Sequence, residues 1–439
     1  MNSLVRFFKS SRAFLGSISF VYGLSSIVFL AACSDFLSPV ESTPATSEYG
    51  FNYWLLQTTY LYEEELADIP KDGDSVQALY GMLKDRYTRY AEPAKSAAVI
   101  ESRNTSIITG DIGIEFMLDN SYEHPLFVRH VYPQSPADRA GIPKYGNIIA
   151  VNGVELAGND AYGIYRAVFE DTADISLEIE YDGEAKTYDM KRETIYAPTI
   201  FVDTIGGYTV INIREFKPNT LDKENGTYGE LQSYLDSTSG DNSVRILDLR
   251  NNPGGHVDQC IRMADLFVKE GTLSSRTWFT FSPDGERTKH SNTTKAMAGD
   301  PGEKGKFVML GNSSSASCAE IFIAAVHELA DIPFAGVTTY GKGIGQASWK
   351  TPAGGLATIT TLEFYTPKGN SYHKKGITPD YACESGASIQ CAIEVAERHF
   401  GKKLNKKTSR VVTEPQIFRY VESKTEFEGG ALVENNVFW

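Results

Sequence analysis

Three stretches of the chain place a reactive side chain where glycines or free backbone N–H groups are at hand. The first is Gly311-Asn312-Ser313-Ser314-Ser315-Ala316-Ser317-Cys318-Ala319-Glu320-Ile321, between a strand-like run, Phe307 to Leu310, and an apolar helix-like run, Ala319 to Ala330. A strand-to-helix turn exposes a side chain, and the N–H groups of a helix start can stabilise an oxyanion, so the Ser317 hydroxyl is a candidate nucleophile toward a carbonyl. The same residues have the S-x-x-E form of a capping box, and on local sequence alone Ser317 reads as a plain helix cap. The second stretch, Tyr340-Gly341-Lys342-Gly343-Ile344-Gly345-Gln346, sets one lysine among glycines 25 positions later. An amine with a pKa of about 10.4 is protonated at neutrality; burial that costs the charged form about 4 kcal/mol makes it a base without a neighbouring acid. Gln346 can accept a hydrogen bond from that amine and aim its lone pair at Ser317. The third stretch, Ile246-Leu247-Asp248-Leu249-Arg250-Asn251-Asn252-Pro253-Gly254-Gly255, reads as a strand, a glycine turn and the start of a helix. Either Gly254 or Gly255 can turn an N–H toward a tetrahedral intermediate, opposite the N–H of Cys318; the bland alternative is a simple connection.

Competing chemistry fits less well. Gly336 to Gly343 nearly spells a phosphate-binding loop, but Gly343 stands where that motif needs a Ser or Thr to hold magnesium. His327-Glu328 leads to Asp331 and not to the second histidine of a zinc helix, and no G-x-S-x-G elbow surrounds a serine. No CxxC pair and no paired-carboxylate spacing supports a thiol redox, zinc-ribbon or glycan-cleaving role. His256, beside the glycine pair, receives no role. The expected chemistry needs no cofactor and no metal.

The elements that must hold these residues follow from the hydrophobic pattern. From about Pro198 to Lys403 strands alternate with helices: Tyr208 to Phe216, Val244 to Leu249 and Phe307 to Leu310 as strands, Val257 to Val268, Ala319 to Ala330 and Ile389 to His399 as helices. This predicts an α/β catalytic domain over residues 195–405. Before it, residues 49–104 read as a small helical segment, with one helix over Trp54 to Leu66 and another over Val76 to Leu83 after the cap signal Asp74-Ser75. Residues 105–194 change to short strands punctuated by Gly and Asn/Asp, with one helix near Ala161 to Val168. Ser135-Pro136-Ala137-Asp138-Arg139-Ala140-Gly141, followed by Gly146 to Gly153, resembles a PDZ domain. That resemblance implies that Gly113-Ile114-Glu115-Phe116 supplies the loop and strand that receive a peptide C-terminus, with Asp111 an added acid beside it. A β-module that binds nothing and only spaces its neighbours is the alternative.

Taken together, Leu-Asp-Leu-Arg-Asn-Asn-Pro-Gly-Gly at 247–255, Ser-Ala-Ser-Cys-Ala-Glu-Ile at 315–321, Gly-Lys-Gly-Ile-Gly-Gln at 341–346, Tyr-Thr-Pro-Lys-Gly at 365–369 and Gly-Ile-Thr-Pro-Asp at 376–380 resemble the C-terminal processing, or tail-specific, serine peptidases. The resemblance covers about residues 75–400, including Asp85-Arg86-Tyr87-Thr88-Arg89-Tyr90. It implies Ser317 as nucleophile, Lys342 as general base and Gln346 as its orienting partner. Cys318-Ala319 replaces the family's usual Ala-Ser; since residue 318 acts through its backbone, altered packing is expected with activity retained. The alternative in another class is a non-catalytic peptide-binding scaffold on the same fold.

The ends and the composition set the context. Arg6, Lys9 and Arg12, then an apolar run from Ala13 to Leu30, then Leu30-Ala31-Ala32-Cys33 read as an export signal over residues 1–32. The last four residues resemble a bacterial lipobox, which implies acylation of Cys33, a membrane anchor in the cell envelope and a body facing the periplasm or cell surface. Residues 33–48 read as a tether and 406–439 as a C-terminal tail that packs on the body. With 42 Lys plus Arg against 56 Asp plus Glu the net charge is −14, which excludes a basic nucleic-acid footprint; the expected partners are the C-terminal tails of proteins or peptides. Of the four cysteines left after Cys33, Cys383 and Cys391 flank a short polar segment and are a candidate disulfide in an oxidising compartment.

Overall fold

The computed structural model describes residues 47–281, 286–383 and 386–401, all within the second of the chain's two units, Pro39–Trp439. The signal segment, Cys33, nearly all of the tether and the 406–439 tail lie outside the described residues. Among those described, no helix is long and apolar enough to cross a membrane.

The chain starts with α1 (Glu48–Thr59), capped by Ser47, whose Oγ accepts Gly50 N–H at 3.0 Å. The expected run to Leu66 stops at Thr59 because Thr58 and Thr59 donate their hydroxyls back to the carbonyls of Trp54 (2.8 Å) and Leu55 (2.6 Å), competing with the helical ladder. The second expected helix forms as α2 (Val76–Gly81), with Ser75 Oγ accepting Ala78 N–H at 3.2 Å. A short strand, β1 (Arg89–Ala91), and α3 (Pro93–Asn104) follow.

Residues 107–196 form a β-module. It contains β2 (Ile107–Asp111), β3 (Ile114–Leu118), β4 (Leu126–Val131), α4 (Pro136–Ala140), β5 (Asn147–Val151), β6 (Val154–Glu155), α5 (Ala161–Asp171), β7 (Asp174–Tyr181), β8 (Glu184–Lys191) and β9 (Glu193–Tyr196). The antiparallel order is β3-β4-β5-β7-β8, so β3 is an edge strand. Leu126, Val128, Ile148, Val151, Leu177 and Ile179 fill its core against Tyr165 of α5. β2 and β9 pair with each other, Ile107 opposite Tyr196, and make a two-stranded stem through which the chain enters and leaves the module.

The α/β domain then runs β10 (Ile200–Ile205), β11 (Tyr208–Ile213), α6 (Gly226–Ser237), β12 (Val244–Asp248), α7 (Val257–Asp265), β13 (Thr272–Phe281), β14 (Arg287–Lys295), β15 (Lys306–Gly311), α8 (Cys318–Ala330), β16 (Phe334–Gly336), β17 (Ile344–Lys350), β18 (Leu356–Tyr365), β19 (Tyr381–Ala382) and α9 (Ile389–Phe400). One sheet has the order β10-β11-β12-β15-β16-β19, parallel from β11 onward, with β10 antiparallel at its edge. Its central strands are apolar runs because helices cover both faces: α7 and α8 on one, α9 on the other. The second sheet is antiparallel and places β18 beside β1, β13 and β17. The segment 49–104 is therefore joined to the α/β domain: β1 pairs Arg89 with Thr358, and α1 buries Leu55 and Leu56 in a cluster with Ala357 and Ile359.

Candidate active site

Ser317 lies where β15 hands over to α8. The loop between them is fixed to neighbouring strand ends: Ser315 Oγ donates to Leu249 O at 2.8 Å, and Ala316 N–H to Asn252 O at 2.9 Å. Asn252 is itself buried, donating through Nδ2 to Ile213 O at 2.9 Å and accepting Gly254 N–H at 2.8 Å. A helix cap has extended backbone, but Ser317 has φ 56° and ψ −115°. A non-glycine residue in such a region costs about 1–3 kcal/mol and persists only where its surroundings impose it. Capping alone gives no reason for that conformation, whereas presenting a side chain at the tip of a sharp strand-to-helix turn does.

Glu320, fully buried, imposes it. Its Oε2 accepts the N–H of Ser317 at 2.9 Å and that of Lys342 at 2.7 Å; its Oε1 accepts Thr339 Oγ1–H at 2.5 Å and Gly341 N–H at 2.6 Å. Burial pushes this carboxyl up, and the four hydrogen bonds oppose it. One carboxylate thus ties the serine turn to the lysine loop. The S-x-x-E pattern signals only its local half. The same bonds occupy the amides of Gly341 and Lys342, so this loop is not a free phosphate cradle.

The Lys342 side chain is only 1% exposed. Burial, aided by the fields of Arg89 and Arg103 and opposed by Asp85 and Glu320, holds its pKa well below the ordinary lysine value. Its Nζ donates to Gln346 Oε1 at 3.0 Å and stands 4.6 Å from the centre of the Tyr87 ring. Gln346 is locked in turn, Nε2 donating to Thr360 Oγ1 at 2.9 Å. Thr360 N–H reaches Thr88 Oγ1 at 2.9 Å, and Thr88 donates to Asp85 Oδ2 at 2.7 Å. The segment Asp85 to Thr88 is therefore part of the lysine pocket, a placement the local sequence does not indicate.

The glycine turn packs directly on the serine. A Cβ on Gly254, at φ 104°, would lie 2.8 Å from Ser317 Cβ and 2.9 Å from Cys318 N; one on Gly255 would lie 2.1 Å from Phe216 O. Only glycine fits at either. Since Gly254 N–H is spent on Asn252, the amides of Gly255 and Cys318 are the ones without an acceptor among the described residues. His256 is half-buried, and its pKa is lowered to about 4, first by desolvation and then by Arg103 and Lys217. Cys318 forms a disulfide with Cys260, with Cα atoms 5.6 Å apart, a pairing the sequence reading misses; Cys383 and Cys391 form another, 6.0 Å apart. Among the described residues no group of three or more His, Cys, Asp or Glu is placed to hold a metal ion.

In the β-module β3 begins at Ile114 and not earlier, because Gly113 has φ 82° and its N–H donates to Asp111 Oδ1 at 2.6 Å. Ile114 packs in the module core and Phe116 lies 4.6 Å from the Tyr165 ring. Glu115 points away from them, pairing with Arg214 Nη2 at 2.5 Å.

With this geometry in view, residues 207–383 match the family model described as Peptidase family S41. This part of the chain is similar to the S41 peptidases. The chain is also 29% identical over 338 residues to a "Probable CtpA-like serine protease" of Staphylococcus saprophyticus, and 28% identical to one of Staphylococcus aureus strain N315. Those matches cover 74% and 76% of this chain and 64% of each relative's length. A crystal structure of an S41-type protein from Bacteroides fragilis aligns with a TM-score of 0.52 at 14% identity, over 82% of this chain and 98% of that one. The matched segment begins within the β10–β11 hairpin, so the β-module precedes it, and Ser317, Lys342, Gln346 and both glycines lie inside it.

Proposed function

We propose that the chain is a serine endopeptidase in which Ser317 is the nucleophile and Lys342 the general base. The observation that carries this reading is the Glu320 bridge: one buried carboxylate holds the strained serine turn and the loop of a desolvated lysine. An amine disfavoured as an ammonium ion can accept the Ser317 proton at neutral pH, and Gln346, itself anchored by Thr360, orients the lone pair without adding a charge. As Ser317 Oγ bonds to the scissile carbonyl, the developing oxyanion is met by the N–H of Cys318 and that of Gly255, the glycine amide not spent inside the loop. The protonated amine then gives its proton to the leaving peptide nitrogen, and water resolves the acyl-enzyme with Lys342 again as base.

The same reading makes the β-module a PDZ domain. β3, an edge strand, takes a substrate's C-terminal segment by strand addition, so cleavage falls near the C-termini of exported proteins. Cys33 carries the lipid that anchors the enzyme to the bacterial envelope facing the periplasm. Ser317→Ala should abolish cleavage of an unstructured, hydrophobic-tailed protein and should eliminate the acyl-enzyme seen by mass spectrometry with a peptide substrate. Full activity of that variant would refute the assignment.

A further inference from the structure

The Cys260–Cys318 disulfide links the two helices whose starts carry the amides that the mechanism needs. Cys318 is the first residue of α8, so its own N–H is one oxyanion donor. Cys260 lies on α7, the helix into which Gly254, Gly255 and His256 lead, and Cys318 Sγ lies 3.1 Å from His256 O. The hydrogen bonds between these segments tie the loops ahead of the two helices and not the helix starts themselves. Gly254 O accepts Phe216 N–H at 3.0 Å and His256 N–H donates to Phe216 O at 2.8 Å, while the serine turn is held by Glu320 toward the lysine loop. The hydrogen bonds that join the two loops directly, Ala316 N–H to Asn252 O (2.9 Å), Ser315 Oγ to Leu249 O (2.8 Å), Asn251 N–H to Asn312 Oδ1 (2.9 Å) and Asn312 Nδ2 to Asn251 Oδ1 (2.9 Å), all lie before Gly255 and Cys318 and none involves α7 or α8.

We propose that Cys260 and Cys318 are positioning residues: their bond fixes the start of α7 against the start of α8, so that the Gly255 and Cys318 amides converge on one oxygen. The inference rests on the serine-peptidase reading of this site. Its consequence is that turnover depends on the oxidation state of the pair. Both sulfurs are buried in the core, so the bond forms before that core closes. One cysteine thiolate attacks the disulfide of an exchange partner, the second attacks the resulting mixed disulfide, and the partner leaves as a dithiol carrying both electrons and both protons. In a reducing compartment the pair stays as thiols, and the peptidase remains slow until export.

The test uses the full-length enzyme in a Cys383→Ala/Cys391→Ala background, which leaves one disulfide. That background should keep wild-type kcat. Within it, Cys260→Ala and the Cys260→Ala/Cys318→Ala pair should lose about 10- to 100-fold in kcat with KM changed less than about twofold, measured well below the melting temperature. A purely stabilising bond would lower Tm and leave kcat unchanged, and that result would overturn the proposal. Should the alanine variants not fold, the same background enzyme reduced with a phosphine should lose activity and regain it on reoxidation with oxidised glutathione; activity unmoved after thiol counting shows complete reduction would equally overturn it. If Ser317→Ala in this background matches its parent, the serine-peptidase reading itself fails, a result distinct from loss or retention of kcat on breaking the disulfide.

Discussion

Two buried polar regions of the molecule treat charge in opposite ways. In the lysine pocket the only hydrogen-bond partner described for Lys342 Nζ is a neutral amide, Gln346, and burial drives the amine toward its uncharged form. Where the β-module meets the α/β domain, Asp203 accepts Lys144 Nζ at 2.7 Å and lies 3.2 Å from His130 Nε2 and 3.5 Å from Arg129 Nη2. Glu115 pairs there with Arg214 and lies 3.6 Å from His130. Burial pushes both carboxyls up, yet their partners win: Asp203 through the hydrogen bond from His130 and the charge of Lys144, Glu115 chiefly through Arg214, and both end below the usual carboxylate range, while burial holds His130 itself below the ordinary histidine value. Desolvation is common to the two regions. What decides ionisation is whether a countercharge is in contact, so a reactive neutral base needs its absence as much as it needs burial.

The comparison breaks most sharply if the first region is given the chemistry of the second. Gln346→Glu puts a carboxylate at the position of the amide oxygen that now lies 3.0 Å from Lys342 Nζ. An opposite charge at that distance favours the ammonium form. The rising limb of the pH profile of kcat/KM, which reports loss of the lysine proton, should move to higher pH. Activity at pH 7 should fall by about 100-fold and recover in part as pH is raised. An unmoved pH profile would mean that Lys342 is not the titrating base.

The sequence makes the two ends of this site legible and hides what joins them. Ser317 is readable because the strand Phe307 to Leu310 and the helix from Ala319 are both strongly apolar and the turn between them is short. Lys342 is readable because glycines flank it and Gln346 follows at four residues. Glu320 is readable only as a cap, since its other bonds reach Thr339, Gly341 and Lys342 about 20 positions on, with no local pattern to announce them. Cys383 and Cys391, 8 residues apart, suggest a loop staple; Cys260 and Cys318, 58 apart, meet only because α7 and α8 pack side by side. The parallel sheet shows in its continuous apolar runs. The antiparallel sheet does not, because β14 reads Arg-Thr-Lys-His-Ser-Asn-Thr-Thr-Lys and β18 is rich in threonine. Nor does the sequence tie residues 49–104 to the α/β domain, since three residues of β1 carry the pairing.

The second region can be broken in the reverse sense. Asp203→Asn removes the countercharge for Lys144 and Arg129 and the carboxylate beside His130. Leaving buried cations unpaired is strongly destabilising, but Lys144 is about one third exposed and can turn to water. A loss of about 1–2 kcal/mol in unfolding free energy is expected, with kcat on a short peptide nearly unchanged because these groups sit outside the lysine pocket. The sign also fixes the pH dependence. A carboxyl with a depressed folded pKa contributes stability that is present above its unfolded pKa and lost as pH falls through the folded one. The Tm difference between wild type and variant should therefore shrink below about pH 4. A difference that stays constant to low pH would show that Asp203 acts through packing and not through its charge.

The smallest effect tests the other half of the contrast, that a dry lysine is held at the expense of stability. Since Lys342 has a folded pKa below its unfolded one, the unfolded chain binds a proton that the native chain does not over the range between the two values. Stability should accordingly rise with pH across that range, by at most about 1.4 kcal/mol per pH unit from this group. Lys342→Met keeps most of the side-chain volume and removes the titration. It should be inactive, yet melt higher than wild type at pH 7, with the two Tm values converging as pH approaches about 10. A methionine variant that melts no higher at neutral pH would mean that the wild-type amine is charged in the folded enzyme. The lysine pocket would then belong with the compensated cluster, and the distinction between the two regions would dissolve.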